Sequence, residues 1–428
     1  MAERKWDELV AQSRIAQRIA RGCPLAALGL QGKRSGCDEG GEGGCAVEWT
    51  AEFQQNVLVP LLQSERLQEY PLLPRYESQL LKAVMRTADQ QGHDVDEEVY
   101  TCMGQAMSRP DDAPSYRHFF IQPSLTLVCQ EQQAFVAKGT TGLRTWPAAQ
   151  YFLAWARDAR PALLSRQRTE PAQPAAVKQV QDATAQSHVA EGSSMPNTRV
   201  KVLELGCGTG LLAMAIAQLW PGVHVTATDQ SAEALRRCAG NCQLNNISVH
   251  EAGEALVDGG DGEAEPALVT VRQLDWADVA TAATTAATAT SAATATSIAA
   301  PQGAREVEGT EAREPCDNSA SAEAAALEVL DGVDVIVGAD IVFDPAVVPS
   351  LVATIGHVLR SAKAQGRPCT ALISSTIRNP STYEVFTAAL AGAKLVCAEV
   401  PVPPKAVREF VDDLTCPILL CEISVEED

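Results

Sequence analysis

The sequence is poor in the features that mark several large classes of protein. Only 34 residues are Lys or Arg against 54 Asp or Glu, a formal charge of −20, which leaves few cations to cluster along a nucleic-acid backbone. A basic protein partner suits that balance better than nucleic acid. No apolar run is long enough to span a bilayer as a helix, and the amino-terminal MAERKWDELV carries acids where a secretory or transit peptide carries none. A soluble, cytoplasmic, monomeric chain without membrane contact is expected. The 13 cysteines are odd in number, dispersed, and include no C-x-x-C pair, so reduced thiols are the default. Cys238 and Cys242 could share a helical face but lack two further ligands, and the six histidines form no H-E-x-x-H. No metal site is expected.

What is present is 428 residues with 46% hydrophobic content, ample for a core and for more than one domain. Three stretches look unfit to bury anything: the glycine-rich residues 29–45, residues 165–198, and residues 277–326 with their TAATTAATATSAATATS. The third is long enough for a domain linker, yet LVTVRQLDW before it and VDVIVGADIVF after it read as strands of one sheet, so it is read as an insertion within a domain. Between the inserts, strands and helices alternate. VKVLEL (200–205) precedes a helix from about Leu211, HVTATD (224–229) precedes SAEALRRCAGNCQLN, VDVIVGAD (333–340) precedes a helix after Val347, and TALISST (370–376) precedes one near Tyr383. Near-continuous apolar strands alternating with helices specify an α/β fold whose parallel sheet has helices on both faces. KLVCAEV and PILLCEI, with no convincing helix between them, read as a closing antiparallel hairpin. Upstream, residues 1–110 read as a mostly helical region. HFFIQPSLTLVCQEQQAFVAKG then reads as a β-hairpin, and GTTGLRTWPAAQYFLAWA as a turn opening into an amphipathic helix. The expected division is a helical region at 1–110 and an α/β domain at 111–428.

Residues 202–218, VLELGCGTGLLAMAIAQ, place three glycines on alternate positions between a strand and a helix, a loop whose backbone N–H groups can face a ligand's polar end. A dinucleotide fingerprint would need a third small residue at position 211, which is Leu211, and a phosphate-binding P-loop would need a Lys after Gly210. The remaining pattern, E-x-G-x-G-x-G from Glu204 through Gly206, Gly208 and Gly210, resembles the first motif of the seven-strand S-adenosylmethionine-dependent methyltransferases. Asp229 ends the second strand, where a carboxylate can accept from two ribose hydroxyls; as an alternative it caps the following helix. Asp275 and Trp276, in the turn LDW, supply an acceptor for an adenine amino group and an aromatic wall, although a Trp there can equally be core. Asp340 ends the fourth strand in GADIVFDP, at the carboxyl edge where open α/β sheets bind ligands, and is the best candidate for handling a nucleophile.

Five segments, G-T-T-G-L-x-T-W (139–146), E-L-G-C-G-T-G-L, L-D-W, A-D-I-V-F and T-I-R-N-P (376–380), together resemble the protein-lysine methyltransferases that modify eukaryotic elongation factor 2. Y-P-x-L-P-x-Y-x-x-x-L (70–80) is similar to that family's N-terminal region. The resemblance implies a seven-strand Rossmann-like sheet, S-adenosyl-L-methionine as cofactor and elongation factor 2 as protein substrate, docked by the helical N-terminal region. It implies that Trp146, Gly206, Cys207, Gly208, Trp276 and Ala339 line the cofactor pocket, with Asp340 and Phe343 beside the target lysine. Ile341, Phe343 and Cys207 stand where relatives often carry Val, Tyr and Ser. Only a neutral amine can attack the methyl group, and lysine's reference pKa is about 10.4, so the site must desolvate the amine. Other substrates of the same fold, whether another protein, a small molecule or nucleic acid, are the alternative. Base-amine methyltransferases usually show N-P-P-[YF] where this chain has D-I-V-F.

Overall fold

The structure, a computed structural model, describes Trp6, Val10 and residues 13–23, 25–28, 30, 47–122, 124–132, 139–159, 199–220, 222–250, 268–282, 284 and 318–427. The stretch 165–198, nearly all of 29–45, and the middle of 277–326 lie outside the described residues.

The centre is a mixed sheet of eight strands. β3 (Val200–Leu205), β4 (Val223–Asp229), β5 (Ser248–His250), β6 (Leu268–Gln273), β7 (Val335–Ala339), β8 (Thr370–Thr376), β9 (Leu395–Glu399) and β10 (Ile418–Val425) stand in the order β5-β6-β4-β3-β7-β8-β10-β9. The strands from β5 to β8 are parallel; β10 runs antiparallel between β8 and β9. Seven strands match the expected sheet, and the three-residue β5 adds an eighth at one edge. The expected closing hairpin is present, but a helix lies between its strands, α10 (Pro404–Phe410), which opens with a proline at its first turn. Its brevity is why its apolar pattern is hard to read.

Alternation along each strand sorts side chains to two cores. Val202, Val225 and Leu372 face one core with α4 (Pro147–Ala159), α5 (Leu211–Leu219) and α6 (Ala232–Leu244). Leu203, Ile336 and Ile373 face the other with α7 (Asn318–Val329), α8 (Val348–Ala364) and α9 (Pro380–Gly392). Both faces are therefore covered, which is why β3, β7 and β8 are buried along nearly their whole length. The helix α7 and a helical turn from Trp276 to Ala282 occupy both ends of the stretch read as an insert, with Val279 and Ala326 buried. Strand order reverses between β3 and β7, so the connections leaving their carboxyl ends turn to opposite faces of the sheet and leave a crevice.

Ahead of the sheet come α1 (Arg14–Ala20), helical turns between Ala51 and Glu69, α2 (Pro74–Gln91) and α3 (Glu97–Ser108), around a core that includes Trp49, Leu61 and Leu80. The antiparallel hairpin of β1 (Ser115–Gln122) and β2 (Leu125–Glu131) follows. Two side chains of α6 hold the edge of β2 as a neighbouring strand would. Asn245 accepts from Val128 N–H at 2.8 Å and donates to its carbonyl at 2.8 Å, while Asn241 accepts from Gln130 N–H at 2.8 Å. The N-terminal region is fastened to the sheet through buried Asp412. Its carboxylate takes Arg21 Nε at 2.9 Å, Arg117 Nη2 at 2.9 Å and the amide of Gln150 on α4. Burial works to raise the Asp412 pKa, but the two guanidinium groups outweigh it and hold the carboxyl below its ordinary range.

Candidate active site

The glycine turn after β3 is left-handed at three places, with φ of 68° at Gly206, 52° at Gly208 and 81° at Gly210. A β-carbon would also find no room at any of them. On Gly206 it would lie 2.7 Å from Ile341 Cγ2, on Gly210 2.5 Å from Cys238 Sγ, and on Gly208 2.9 Å from the carbonyl oxygen of Gly142. The last contact joins two sequence segments backbone to backbone, because a β-carbon on Gly142 would meet Gly208 Cα at 3.2 Å. The 139–146 turn is therefore clamped on the 206–210 turn. Thr145 and Thr209 share a hydroxyl hydrogen bond of 2.8 Å across the joint, and Asn241 donates to the Thr209 carbonyl at 2.8 Å.

Two acids stand at the adjoining strand ends. Glu204 is 3% exposed, its Oε2 has no hydrogen-bond partner among the described residues, and burial raises its pKa to about 8. Asp229 accepts from Gly208 N–H at 3.2 Å and Ser231 N–H at 2.9 Å; burial raises its pKa and these backbone donors oppose the rise. The cap of α6 is Ser231, whose hydroxyl takes Ala234 N–H, so Asp229 braces the glycine turn rather than capping the helix itself. Asp275 accepts from Ala277 N–H at 2.9 Å and so starts the helical turn after β6. Trp276 packs against the second core and also lines the cavity.

At the end of β7, Asp340 adopts φ 56°, a left-handed conformation that costs a non-glycine residue energy and is retained where the surroundings over-determine it. The over-determination comes from the T-I-R-N-P segment. Asp340 N–H donates to the Ser374 carbonyl at 2.8 Å; Thr376 N–H donates to Oδ1 at 2.8 Å; the Thr376 hydroxyl and Arg378 Nη2 donate to Oδ2 at 3.0 and 3.1 Å. Arg378 also lies over the Trp146 ring, 4.9 Å from its centroid, and Arg144 lies 5.3 Å from the same ring. The acid expected to handle the nucleophile is thus already braced by three donors. Phe343, expected beside the target lysine, is 54% exposed on the cavity rim.

These groups surround a cavity of about 270 Å³ at the carboxyl ends of β3, β4, β6 and β7. Trp146, Glu204, Gly206, Cys207, Gly208, Asp229, Asp275, Trp276, Ala339, Asp340 and Phe343 all line it, whereas Gly210 lies beneath, against Cys238. Arg144, Thr145 and Gly142 are additional lining residues that motif reasoning left without a role. Their signal was the 139–146 segment itself, which carried a resemblance but no chemistry. No metal-ligating cluster occurs among the described residues. Cys238 and Cys242 are both buried on one face of α6, and Cys238 packs beneath Gly210.

A family model described as the methyltransferase small domain matches residues 188–265. The chain is 24% identical over 354 residues to the protein-lysine N-methyltransferase EEF2KMT of Bos taurus, covering 82% of this chain and 81% of the bovine one. With the Homo sapiens protein of the same name it is 27% identical over 185 residues, 43% of each chain, so that alignment spans less than half of the human relative's length. Among solved structures, the human methyltransferase 10 domain containing protein is similar at 12% identity and a TM-score of 0.30, covering 67% of this chain and 85% of that one.

Proposed function

Because the chain belongs to the family of the elongation factor 2 protein-lysine methyltransferases, S-adenosylmethionine-dependent enzymes of Rossmann-like fold, we propose that it transfers a methyl group from S-adenosylmethionine to a lysine of elongation factor 2. The observation that carries the cofactor assignment is the buried, unpartnered Glu204 Oε2 at the end of β3, beside a glycine turn with no room for side chains. Such an acceptor fits the ammonium group of the cofactor's methionine half. Asp229 fits the ribose hydroxyls, and Trp276 with Asp275 fits the adenine. When bound, S-adenosylmethionine supplies an electrophilic methyl group.

The chain's own part is to deliver a neutral amine. Asp340 retains acceptor capacity beyond its three donors and can orient a lysine Nζ, while Thr376 and Arg378 keep its carboxylate in register with the cavity. Phe343, exposed on the rim, can fold over the lysine stem and exclude water, which lowers the amine's pKa by desolvation. No covalent enzyme intermediate is needed. The substrate assignment is supported by the length of the bovine alignment, which reaches beyond the sheet into the helical N-terminal region. That region carries no cofactor motif, and we assign residues 1–110 to docking of a large folded partner.

The test pairs the purified protein with elongation factor 2 and its Lys→Arg variants and reads methyl additions by mass. Asp340→Ala is expected to keep S-adenosylmethionine binding while losing transfer, since it removes a group that orients the nucleophile. Transfer to an unrelated protein, a small molecule or nucleic acid, with none to elongation factor 2, would overturn the substrate and leave the chemistry standing.

A further inference from the structure

A second cavity, of about 430 Å³, lies in the seam between the helical N-terminal region and the sheet. It shares Arg144 and Thr145 with the walls of the candidate active site. On its far side it shares Leu73, Ser115, Glu131 and Gln132 with a third hollow, so the three adjoin in a row leading away from Asp340. We propose that this seam binds an extended polypeptide segment of the protein substrate, the one flanking the lysine to be methylated. The inference rests on the chain being a protein methyltransferase and locates where its substrate lies.

The chemistry of the lining selects that occupant. Two buried polar atoms there have no partner among the described residues: Glu131 Oε1, on a side chain 7% exposed, and the Tyr76 hydroxyl. Arg144, on the shared wall, forms no ion pair or hydrogen bond with any described residue and lies 5.3 Å from the centroid of the Trp146 ring. A group left unpaired in such a place is costly unless something else bonds it. The charges nearly cancel, with Arg117 and Arg144 facing Glu131, Asp412 and Asp413 while Arg21 stands behind Asp412. A lining whose charges nearly cancel and that offers both donors and acceptors matches the alternating N–H and C=O groups of a peptide main chain. It matches neither a phosphate nor a metal ion.

The segment Y-P-x-L-P-x-Y, so far without a role, supplies Leu72, Leu73 and Tyr76 to this lining, and the 139–146 turn supplies Arg144 and Thr145. The frame of the walls is held by the Arg21–Asp412–Arg117 junction, so binding needs only a shift of the Tyr76 and Glu131 side chains to bring their buried atoms to the bound segment.

Two variants of the full chain test the seam, with S-adenosylhomocysteine affinity by calorimetry and Tm as controls. Tyr76→Phe removes only the unpartnered hydroxyl, and Gln79→Trp fills the cavity. Tyr76→Phe should raise the KM for the folded protein substrate about 3- to 10-fold, the range for one lost hydrogen bond. Its kcat and S-adenosylhomocysteine affinity should be unchanged and its Tm equal or higher. Gln79→Trp should raise KM more than Tyr76→Phe does. A wild-type KM in both variants, each folded and binding S-adenosylhomocysteine normally, overturns the seam and marks the cavity as a water-filled gap. The same variants, incubated with labelled methyl donor and a cytosolic extract, should dim whichever protein band the wild type labels. An undimmed band overturns the seam even where elongation factor 2 is not the accepted protein, so the two failures are distinct.

Discussion

Gly208 shows why the glycine motif tolerates so little. A side chain there must adopt a left-handed backbone, at roughly 1–2 kcal/mol, and must also displace the Gly142 carbonyl, which as backbone cannot swing aside. Gly208→Val is therefore expected to lower Tm and abolish S-adenosylmethionine binding by pushing the 139–146 turn off the cavity. Wild-type affinity by calorimetry in a folded variant would refute this. Glu204 offers a test with a sign. Its folded pKa is about 8 against an ordinary 4.5, so between those values the native state keeps a proton that the unfolded chain has released. Stability without cofactor therefore falls as pH rises through that window. Glu204→Gln should remove that fall, giving a Tm gain over wild type that is larger at about pH 8.5 than at about pH 5, together with weaker cofactor binding. A gain independent of pH would mean that the carboxyl is not held protonated. Asp229→Ala, which loses an acceptor for the glycine turn and the proposed acceptor for the ribose, should weaken cofactor binding by about 1.5–3 kcal/mol, read by calorimetry.

At the scale of elements, the strands and the longer helices were legible because a two-sided parallel sheet writes itself as apolar runs separated by helical periodicity. The short pieces were not. α10 and β5 span seven and three residues, too few for a period to show. The ends of the Ala/Thr-rich stretch are helical although their composition resembles that of the insert, because Val279 and Ala326 find a core to pack against. Replacing residues 280–322 by a short Gly/Ser linker removes buried Ala282 and the first turn of α7, and should consequently lower Tm. Replacing only 285–317 should leave Tm and cofactor affinity nearly unchanged, since longer loops differ in closure cost by only about 0.6 kcal/mol per doubling. Equal Tm values for the two replacements would show that these helical ends contribute nothing to the fold.

For the whole molecule the decisive feature is the junction at Asp412, which binds α1, β1, α4 and the segment after α10 together. Removing one partner of a buried ion cluster costs about 3–5 kcal/mol, and Asp412→Asn should approach that loss near neutral pH because Arg21 and Arg117 lose their shared counter-charge. The folded pKa of Asp412 is depressed, so its contribution is present above the ordinary carboxyl pKa and is lost as pH falls through the folded value. The Tm gap between wild type and Asp412→Asn should therefore close below about pH 4. A gap that persists in acid would assign the loss to geometry and not to charge. Deleting residues 1–110 strips Arg21 from this junction, so that truncation tests docking only where the remainder is shown to fold.

The sequence by itself determined the α/β class, the order of the main strands and the identity of the glycine turn, because each is encoded by local periodicity or by spacing along a few residues. All but one of the site residues it singled out, Gly210, line the cavity, since strand ends of a parallel sheet must converge on one edge. Only the tertiary structure decided how those residues are used: that Gly208 makes room for Gly142, that Thr376 and Arg378 brace Asp340, that Phe343 stands on the rim, and that Asp412 joins the two regions. Each of these is a contact between positions far apart in the chain. No local pattern carries it, because neither partner's own neighbours constrain where the other will arrive.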